Sequence, residues 1–312
     1  MRKVTILFIA FVFTITLSAC DGNSFKENES INVYTRDTES GTREAFFKGI
    51  EFSEAAEDNA ILVSSFTEVS GNSDMIAKIK ADEYGLGYIS LSSLASSGLV
   101  GLDFNSVEAT EENVLNNTYQ LKRPFNYITR VSGDYGSTEV EQIVKAIVAY
   151  MSSVEGKAII LQNGGIVETS TNDVNWSEMS SNHSVCTVDN SAVNIQVGGS
   201  TSVEKIAKAI TSAFKGRCGN FNPLHNHLGS SAAYKGTQKD GDKDAAATYL
   251  DLGFASRAFK DSEPGMTNTF GQICWDAVVA VVNKSNDSVD DVTANILKKI
   301  FEGTFNTWDE LE

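Results

Sequence analysis

Apolar and polar positions along the chain follow two periods, and the switches between them mark the elements. Ile31-Asn32-Val33-Tyr34-Thr35 alternates as a half-buried strand does. The stretch after it carries Ala45, Phe46, Phe47 and Ile50 at the spacing of one helix face. Residues 61–69 read as another strand region, 74–82 as a helix and 85–91 as a short buried strand. Apolar positions at spacings of three and four over 139–162 predict one or two amphipathic helices. The pattern then lapses: residues 170–191, rich in Ser, Asn and Asp, read as a linker or long surface loop. Order resumes with a strand at 193–197, a helix at 203–214, a short strand before Gly229, a very apolar strand at 277–282 and a helix at 293–301. Strands alternating with helices predict an α/β architecture.

Length and composition narrow the reading. The 312 residues suffice for two ordinary domains, and 41% hydrophobic with 21% charged residues is the balance of a folded chain. A formal charge of −16 argues against a nucleic-acid surface or a polybasic membrane patch. Any anion bound here is captured by local geometry, because the overall field repels it. At the N-terminus, Arg2 and Lys3 precede an apolar run from Val4 to Thr16, short for a membrane span and suited to a signal peptide. The run ends in Leu17-Ser18-Ala19-Cys20, which resembles the lipobox of bacterial lipoproteins. The expectation is a signal peptide over 1–19, a lipidated (palmitate-bearing) Cys20 and a tether through residue 30. Cys186, Cys218 and Cys274 lack CxxC spacing, so zinc is not expected; one disulfide is possible, its pair open.

Candidate chemistry lies in three Gly/Ser/Thr turns: Ser40-Gly41-Thr42, Gly198-Gly199-Ser200-Thr201-Ser202 and Gly229-Ser230-Ser231. Each follows a strand and opens a helix. There the first backbone N–H groups lack intrahelical partners and the helix dipole favours negative charge. Singly, each turn reads first as a helix cap. Together, with Arg36 four residues before Ser40, they suit a tetrahedral oxyanion.

The motifs carry a more specific resemblance. Residues 193–312 resemble the first part of the substrate-binding lipoproteins of bacterial ABC phosphate importers, through VGGSTSVEKIAKAITSAF, LGSSAAYKG, LGFASRAFKDSE, DAVVAVVN and ILKKIFEGTFNTWDEL. Residues 31–170 resemble the later part, through INVYTRDTESGTREAFF, GLGYISLSSL, YQLKRPF and SSVEGKAIILQNGGIV. The halves stand in the reverse of the usual order, as in a circular permutation with 171–191 joining the usual termini. The resemblance implies a two-lobed periplasmic-binding-protein-like (type II) α/β fold with the ligand cleft between lobes. By this alignment one lobe takes residues 31–102 and 278–312, the other 103–277.

The resemblance further implies phosphate contacts from Arg36, Ser40, Gly41, Thr42, Ser200, Thr201, Ser202, Ser230, Ser231 and Ser256. Some members place Asp directly after the serine of the third segment, where it accepts the proton that phosphate carries and sulfate lacks. This chain has Arg257 there, either an added charge or a residue pairing with Asp261 or Glu263; Asp37 is the candidate replacement acceptor. The implied function is phosphate binding outside the membrane and delivery to an ABC permease with its cytoplasmic ATPase. The expected state is a monomer anchored through Cys20, without cofactor, metal or nucleic-acid partner. Alternatives are another oxyanion, such as sulfate or molybdate, and a phosphate sensor that delivers nothing. An enzyme is disfavoured: P-loop, GxSxG and HExxH are absent, and His225 and His227, ligands at i and i+2, lack an evident third.

Overall fold

The computed structural model describes residues 25–311, so the signal peptide expected over 1–19 and the lipidation expected at Cys20 lie outside the described residues. The first run of elements is β1 (Asn32–Arg36), α1 (Gly41–Gly49), β2 (Thr67–Val69), α2 (Asn72–Ala81), β3 (Gly85–Ser90) and α3 (Leu91–Ser97). Small pieces follow: β4 (Val100–Gly101), β5 (Asp103–Phe104) and α4 (Glu111–Leu115). Then come β6 (Lys122–Thr129), α5 (Thr138–Ser152), α6 (Val154–Gln162) and α7 (Trp176–Met179). The second run is β7 (Asn194–Gly199), α8 (Glu204–Lys215), β8 (Asn222–Asn226), α9 (Ser230–Thr237), β9 (Leu252–Ala255), β10 (Phe270–Val282), β11 (Asp291–Val292) and α10 (Ala294–Glu302).

The main sheet runs β2-β1-β3-β10-β6-β9-β7-β8, with β4 also on β10, and mixes parallel and antiparallel pairs. β10 holds it together. Its first part pairs antiparallel with β6, from Phe270 to Ala277, and its last part with β3, from Val278 to Val282. A thirteen-residue strand thereby passes from one hydrophobic core to another. The first core gathers Val33, Phe46, Phe47, Tyr88, Val278, Leu297 and Phe301; the second gathers Phe125, Ile147, Ile195, Ile210, Phe214 and Cys274. The resulting two-lobed α/β architecture matches the expected class.

One expected boundary moves. Leu102, Phe104, Val114, Tyr119 and Leu121 all pack in the first core, so the division placed at residue 102 falls inside it. Backbone pairing explains this. Val278 N–H donates to Leu121 O at 2.9 Å, the Tyr119 hydroxyl donates to Val278 O at 2.9 Å, and β5 pairs with β11. The chain leaves the first lobe only as it enters β6.

Local chemistry sets several elements. Residues 139–162 form two helices because Ser153 is extended and caps α6, its Oγ accepting from Gly156 N–H at 3.1 Å. Gly156 is required there, since a Cβ would lie 1.9 Å from Tyr150 O. Along α8, Ile206, Ala207, Ile210, Thr211 and Phe214 form one buried face. Of the strand expected over 61–69, only Thr67–Val69 forms; Val63 instead donates to Phe301 O at 2.8 Å from an irregular segment.

The stretch expected as a linker is anchored. Trp176 is buried against Tyr150 and Phe214, and Cys186 is disulfide-bonded to Cys218, leaving Cys274 free and buried. The first and last described segments also meet. Ile31 N–H donates to Asn306 O at 2.8 Å, Asp309 N–H to Glu27 O at 2.9 Å, and Phe25 packs on Trp308. Among the described residues no helix is long and apolar enough to cross a membrane.

Candidate functional site

The three turns, more than 150 residues apart at the extremes, converge between the lobes. β1 ends at Arg36, and Ser40 caps α1, its Oγ accepting from Thr42 and Arg43 N–H. Arg43 is structural: its nitrogens donate to Arg36 O and Ala55 O and fix the turn from behind. The Ser200 turn leaves β7 through Gly199 at φ +101°, a left-handed conformation suited to glycine. Ser200 N–H donates to Phe254 O at 2.7 Å and Ser202 N–H to Ser200 Oγ at 3.2 Å. The third turn passes Gly229 and begins α9 at Ser230, whose Oγ accepts from Ser256 N–H at 3.0 Å. Ser256 directly follows β9, and its Oγ meets both Ser200 Oγ, at 2.8 Å, and Ser230 Oγ, at 3.1 Å.

Across the cleft, Thr42 Oγ1 lies 2.8 Å from Ser202 Oγ, and Asn72 Nδ2 donates to Ser202 Oγ at 3.2 Å. Gly41 abuts Ser230 and Ser256. Backbone or amide N–H groups fill acceptor positions on Ser200, Ser202 and Ser230, which biases the remaining hydroxyl hydrogens to act as donors.

Charge at the centre comes from Arg36. Its guanidinium is 1% exposed, with Nη2 donating to Ser70 O at 3.0 Å and 3.4 Å from Asp37 Oδ2. Arg36 Nε and Nη1 and the Thr201 hydroxyl are buried without hydrogen-bond partners among the described residues. Burial lowers the Arg36 pKa, and Asp37 opposes that shift. Unpartnered buried donors cost about 1–3 kcal/mol each, more when charged, so this cluster fits an acceptor-rich anion. A groove of about 760 Å³ beside it is bordered by Asp37, Ser70, Gly71, Asp74, Thr201 and His227.

Arg123, Asp276, Ser90 and Ser92 play parts that the motifs do not reveal. Arg123 on β6 donates from Nη1 to Thr42 Oγ1 at 2.9 Å and from Nε to Asp276 Oδ2 at 2.9 Å. Asp276, fully buried on β10, also accepts from Ser90 Oγ and from Ser92 N–H. Burial raises the Asp276 pKa, while Arg123, Ser90 and Ser92 hold it toward the carboxylate. Asn72, in the Ser70-Gly71-Asn72 stretch whose small residues already suggest a place near the cleft, meets Ser202 beside them. The available signals were a charge inside the apolar run Ile273-Cys274-Trp275-Asp276-Ala277-Val278, and alternation that puts Arg123 on the face of Leu121 and Phe125.

Other expected site residues stand at the rim. Asp37 is partly exposed, its Oδ1 accepting from Glu39 N–H. Ser231 accepts from Arg257 Nη2 at 3.2 Å. Arg257 is bound to Glu263 through two nitrogens, at 2.6 and 2.8 Å, and its Nε lies 3.0 Å from Glu44 of the opposite lobe. His225 and His227 hydrogen-bond each other, and His227 Nδ1 meets the Ser200 carbonyl rather than its hydroxyl. Among the described residues no group of three His, Cys, Asp or Glu is arranged to hold a metal.

Comparison with known proteins agrees with this architecture. Residues 180–312 match the PBP superfamily domain. The chain is 27% identical over 303 residues to phosphate-binding protein PstS 2 of Streptococcus pneumoniae, covering 95% of this chain and 94% of the relative. It is 26% identical to phosphate-binding protein PstS 2 of Streptococcus agalactiae, covering 95% and 92%. The crystal structure of a phosphate ABC transporter phosphate-binding protein from Streptococcus pneumoniae superposes with a TM-score of 0.63 at 22% identity, over 91% of this chain and all of that one. The likeness read from the motifs therefore extends along nearly the whole chain.

Proposed function

We propose that this chain is an extracytoplasmic solute-binding protein that holds inorganic phosphate between its lobes and presents it to an ABC importer. The observation that carries this reading is the Arg36 guanidinium, buried with two nitrogens unpartnered, at the meeting point of three small-residue turns. An oxyanion supplies the missing acceptors, and Arg36 gives it charge-assisted bonds. The names of the Streptococcus relatives favour phosphate among such anions. The serine hydroxyls at the centre bond to one another and to backbone, and none of them is hydrogen-bonded to a histidine, so the reading assigns binding without chemistry.

In this reading Arg36, Thr42, Ser200, Thr201, Ser202, Ser230 and Ser256 face the anion with the amides that open α1 and α9. Asp37, beside Arg36, takes the proton of hydrogen phosphate. Arg257 contributes to closure rather than to the ligand, in keeping with its pairing to Glu44 and Glu263. The protein works as a monomer tethered through a lipid on Cys20. The order of the halves is a permutation shared with the Streptococcus relatives, which match along 95% of this chain, a reading favoured by the contact between the first and last described segments.

The test is calorimetric titration of the full chain, stripped of bound anion, with phosphate and with sulfate. Tight stoichiometric phosphate binding is expected. Sulfate should bind at least about 100-fold more weakly, roughly 2.7 kcal/mol, the order of one badly matched buried polar group. Preference for sulfate would keep the site and overturn the ligand; uptake of neither would defeat the reading.

A further inference from the structure

Six residues close a hydrogen-bonded ring around one wall of the cleft, five through side chains alone and Ser90 through its hydroxyl and its backbone N–H. Arg123 Nε donates to Asp276 Oδ2 at 2.9 Å, and Asp276 accepts from Ser90 Oγ at 2.8 Å. Ser90 N–H donates to Asn72 Oδ1 at 3.4 Å, and Asn72 Nδ2 to Ser202 Oγ at 3.2 Å. Ser202 Oγ lies 2.8 Å from Thr42 Oγ1, which accepts from Arg123 Nη1 at 2.9 Å. Arg123 and Asp276 stand on β6 and β10, the strands that pass between the lobes. Ser90, Asn72 and Thr42 belong to the first lobe and Ser202 to the second, so the ring is complete only when the lobes are together.

The ring has a fixed polarity. Ser90 N–H can only donate, which orients the Asn72 amide and makes its nitrogen the group facing Ser202. A guanidinium has no acceptor, so Arg123 can only donate to Thr42. Thr42 and Ser202 therefore each receive one donor from outside their pair. One hydroxyl must donate to the other, and the receiving oxygen then has both lone pairs filled. That oxygen carries the one hydrogen left over, which the ring does not use, while the donating oxygen keeps one lone pair open.

The geometry points to Arg123 and Asp276 as positioning residues for the anion: a buried ion pair that, through Thr42, Asn72 and Ser202, fixes this wall as a donor to an unprotonated ligand oxygen. This deepens, and rests on, the oxyanion reading above. It also assigns a direction to specificity. The ligand oxygen that accepts this hydrogen is an unprotonated one, and the proton of hydrogen phosphate sits on another oxygen, for which Asp37 is the proposed acceptor. The Arg123–Asp276 pair is neutral as a whole, so the charge offered to the anion comes from Arg36, whose Nε and Nη1 stay unpartnered among the described residues beside the Asp37 contact.

A double-mutant cycle in the full chain tests this, with phosphate and sulfate titrations and a melting curve for each protein. Arg123→Lys keeps a cation for Asp276 and removes the Nη1 bond to Thr42; Thr42→Val removes the hydroxyl itself. Because Arg123 acts through Thr42, each single variant should lose roughly tenfold in phosphate affinity, and the double variant no more than about twofold beyond the weaker single. Additive losses, or an unchanged affinity in Arg123→Lys, overturn the inference, whatever happens to the melting temperature. If Arg123→Lys does not melt cooperatively, Asn72→Ala replaces it, since Asn72 enters the same hydroxyl pair from the other side. Coupling to Thr42→Val then supports the ring and additivity overturns it. A wild-type chain that binds neither phosphate nor sulfate defeats the functional reading itself, whereas a binding wild type with uncoupled variants defeats only this step.

Discussion

Gly41 and Ser230 face each other across the cleft so closely that a Cβ on Gly41 would lie 2.2 Å from Ser230 Oγ and 2.9 Å from Ser256 Oγ. Gly41 serves approach here, not a special backbone angle: its missing side chain lets the starts of α1 and α9, from different lobes, converge on one small ligand. Gly41→Ala should hold the lobes apart. We expect phosphate affinity to fall by roughly 30-fold, about 2 kcal/mol, with little change in the melting temperature of the ligand-free protein. Titration and melting of the variant check this. Unaltered affinity would mean that the anion is held without this contact.

Glu44 and Arg257 join the lobes at the rim, at 3.0 Å, and Lys260 reaches both Glu44 and Glu57. Arg257 is also bound within its own lobe by Glu263. The two carboxylates should therefore separate on substitution. Glu44→Gln removes a cross-lobe pair and is expected to weaken phosphate several-fold, about 1 kcal/mol, with a small effect on melting. Glu263→Gln leaves Arg257 half-paired in a buried place and should cost roughly 3 kcal/mol of stability. The same titrations and denaturation curves decide; equal effects of the two changes on affinity would place Arg257 at the ligand instead.

His225 and His227 give the protein a pH dependence of definite sign. His227 Nδ1 donates to Ser200 O, His225 Nδ1 donates to His227 Nε2, and the Thr211 hydroxyl can donate to His225 Nε2, which leaves both rings neutral. Burial pushes His225 down to about 4, with His227 and Lys208 adding to the shift and Glu204 opposing it. A histidine whose folded pKa lies below its unfolded value contributes stability that is present above about pH 6.5 and lost as pH falls toward 4. His225 is partly solvated, so the loss should be only about 1 kcal/mol. The melting temperature should drop between pH 7 and pH 5, and His225→Gln should flatten that slope. Parallel profiles for wild type and variant would remove the histidine pair as its source.

How much of this was legible depended on distance along the chain. Val33 and Thr35, the face of α8 and the small residues of the three turns carry local signals, so the strands, helices and anion turns follow from periodicity and helix-start chemistry. β6 escaped because Lys122, Arg123 and Pro124 break the look of a strand. Pro124 is tolerated because β9 pairs with β6 only from Asn126 onward, leaving β10 alone beside it. The expected strand at Ile61 failed for the opposite reason: its apolar residues pack from irregular backbone against α10. The Arg123–Asp276 pair spans 153 positions, and nothing local names the partner of a buried charge. For Arg257 the sequence offers an added charge or a pairing with Asp261 or Glu263; it pairs with Glu263, six residues on, whereas its second partner, Glu44, lies in the other lobe beyond any local signal.

The segment over 171–191 is the place where the proposed permutation and the disulfide meet. Cys186 and Cys218 close a separation of 32 residues, tying the segment to the turn after α8. Asn190 reinforces the tie, its Nδ2 donating to Val185 O and Cys218 O and its N–H to Gly219 O. Closing a loop of that length removes chain entropy from the unfolded state worth about 3–4 kcal/mol. Replacing both cysteines by serine should therefore lower the melting temperature by roughly 5–10 °C. Anion affinity should not change, because the bridge belongs to the second core and touches none of the cleft residues. Trp176, packed on Tyr150 and Phe214, should keep the segment docked in the variant, visible as a blue-shifted, quench-protected tryptophan emission. If affinity fell together with stability, the segment would be coupled to the motion of the lobes, and its role would be more than joining two older chain ends.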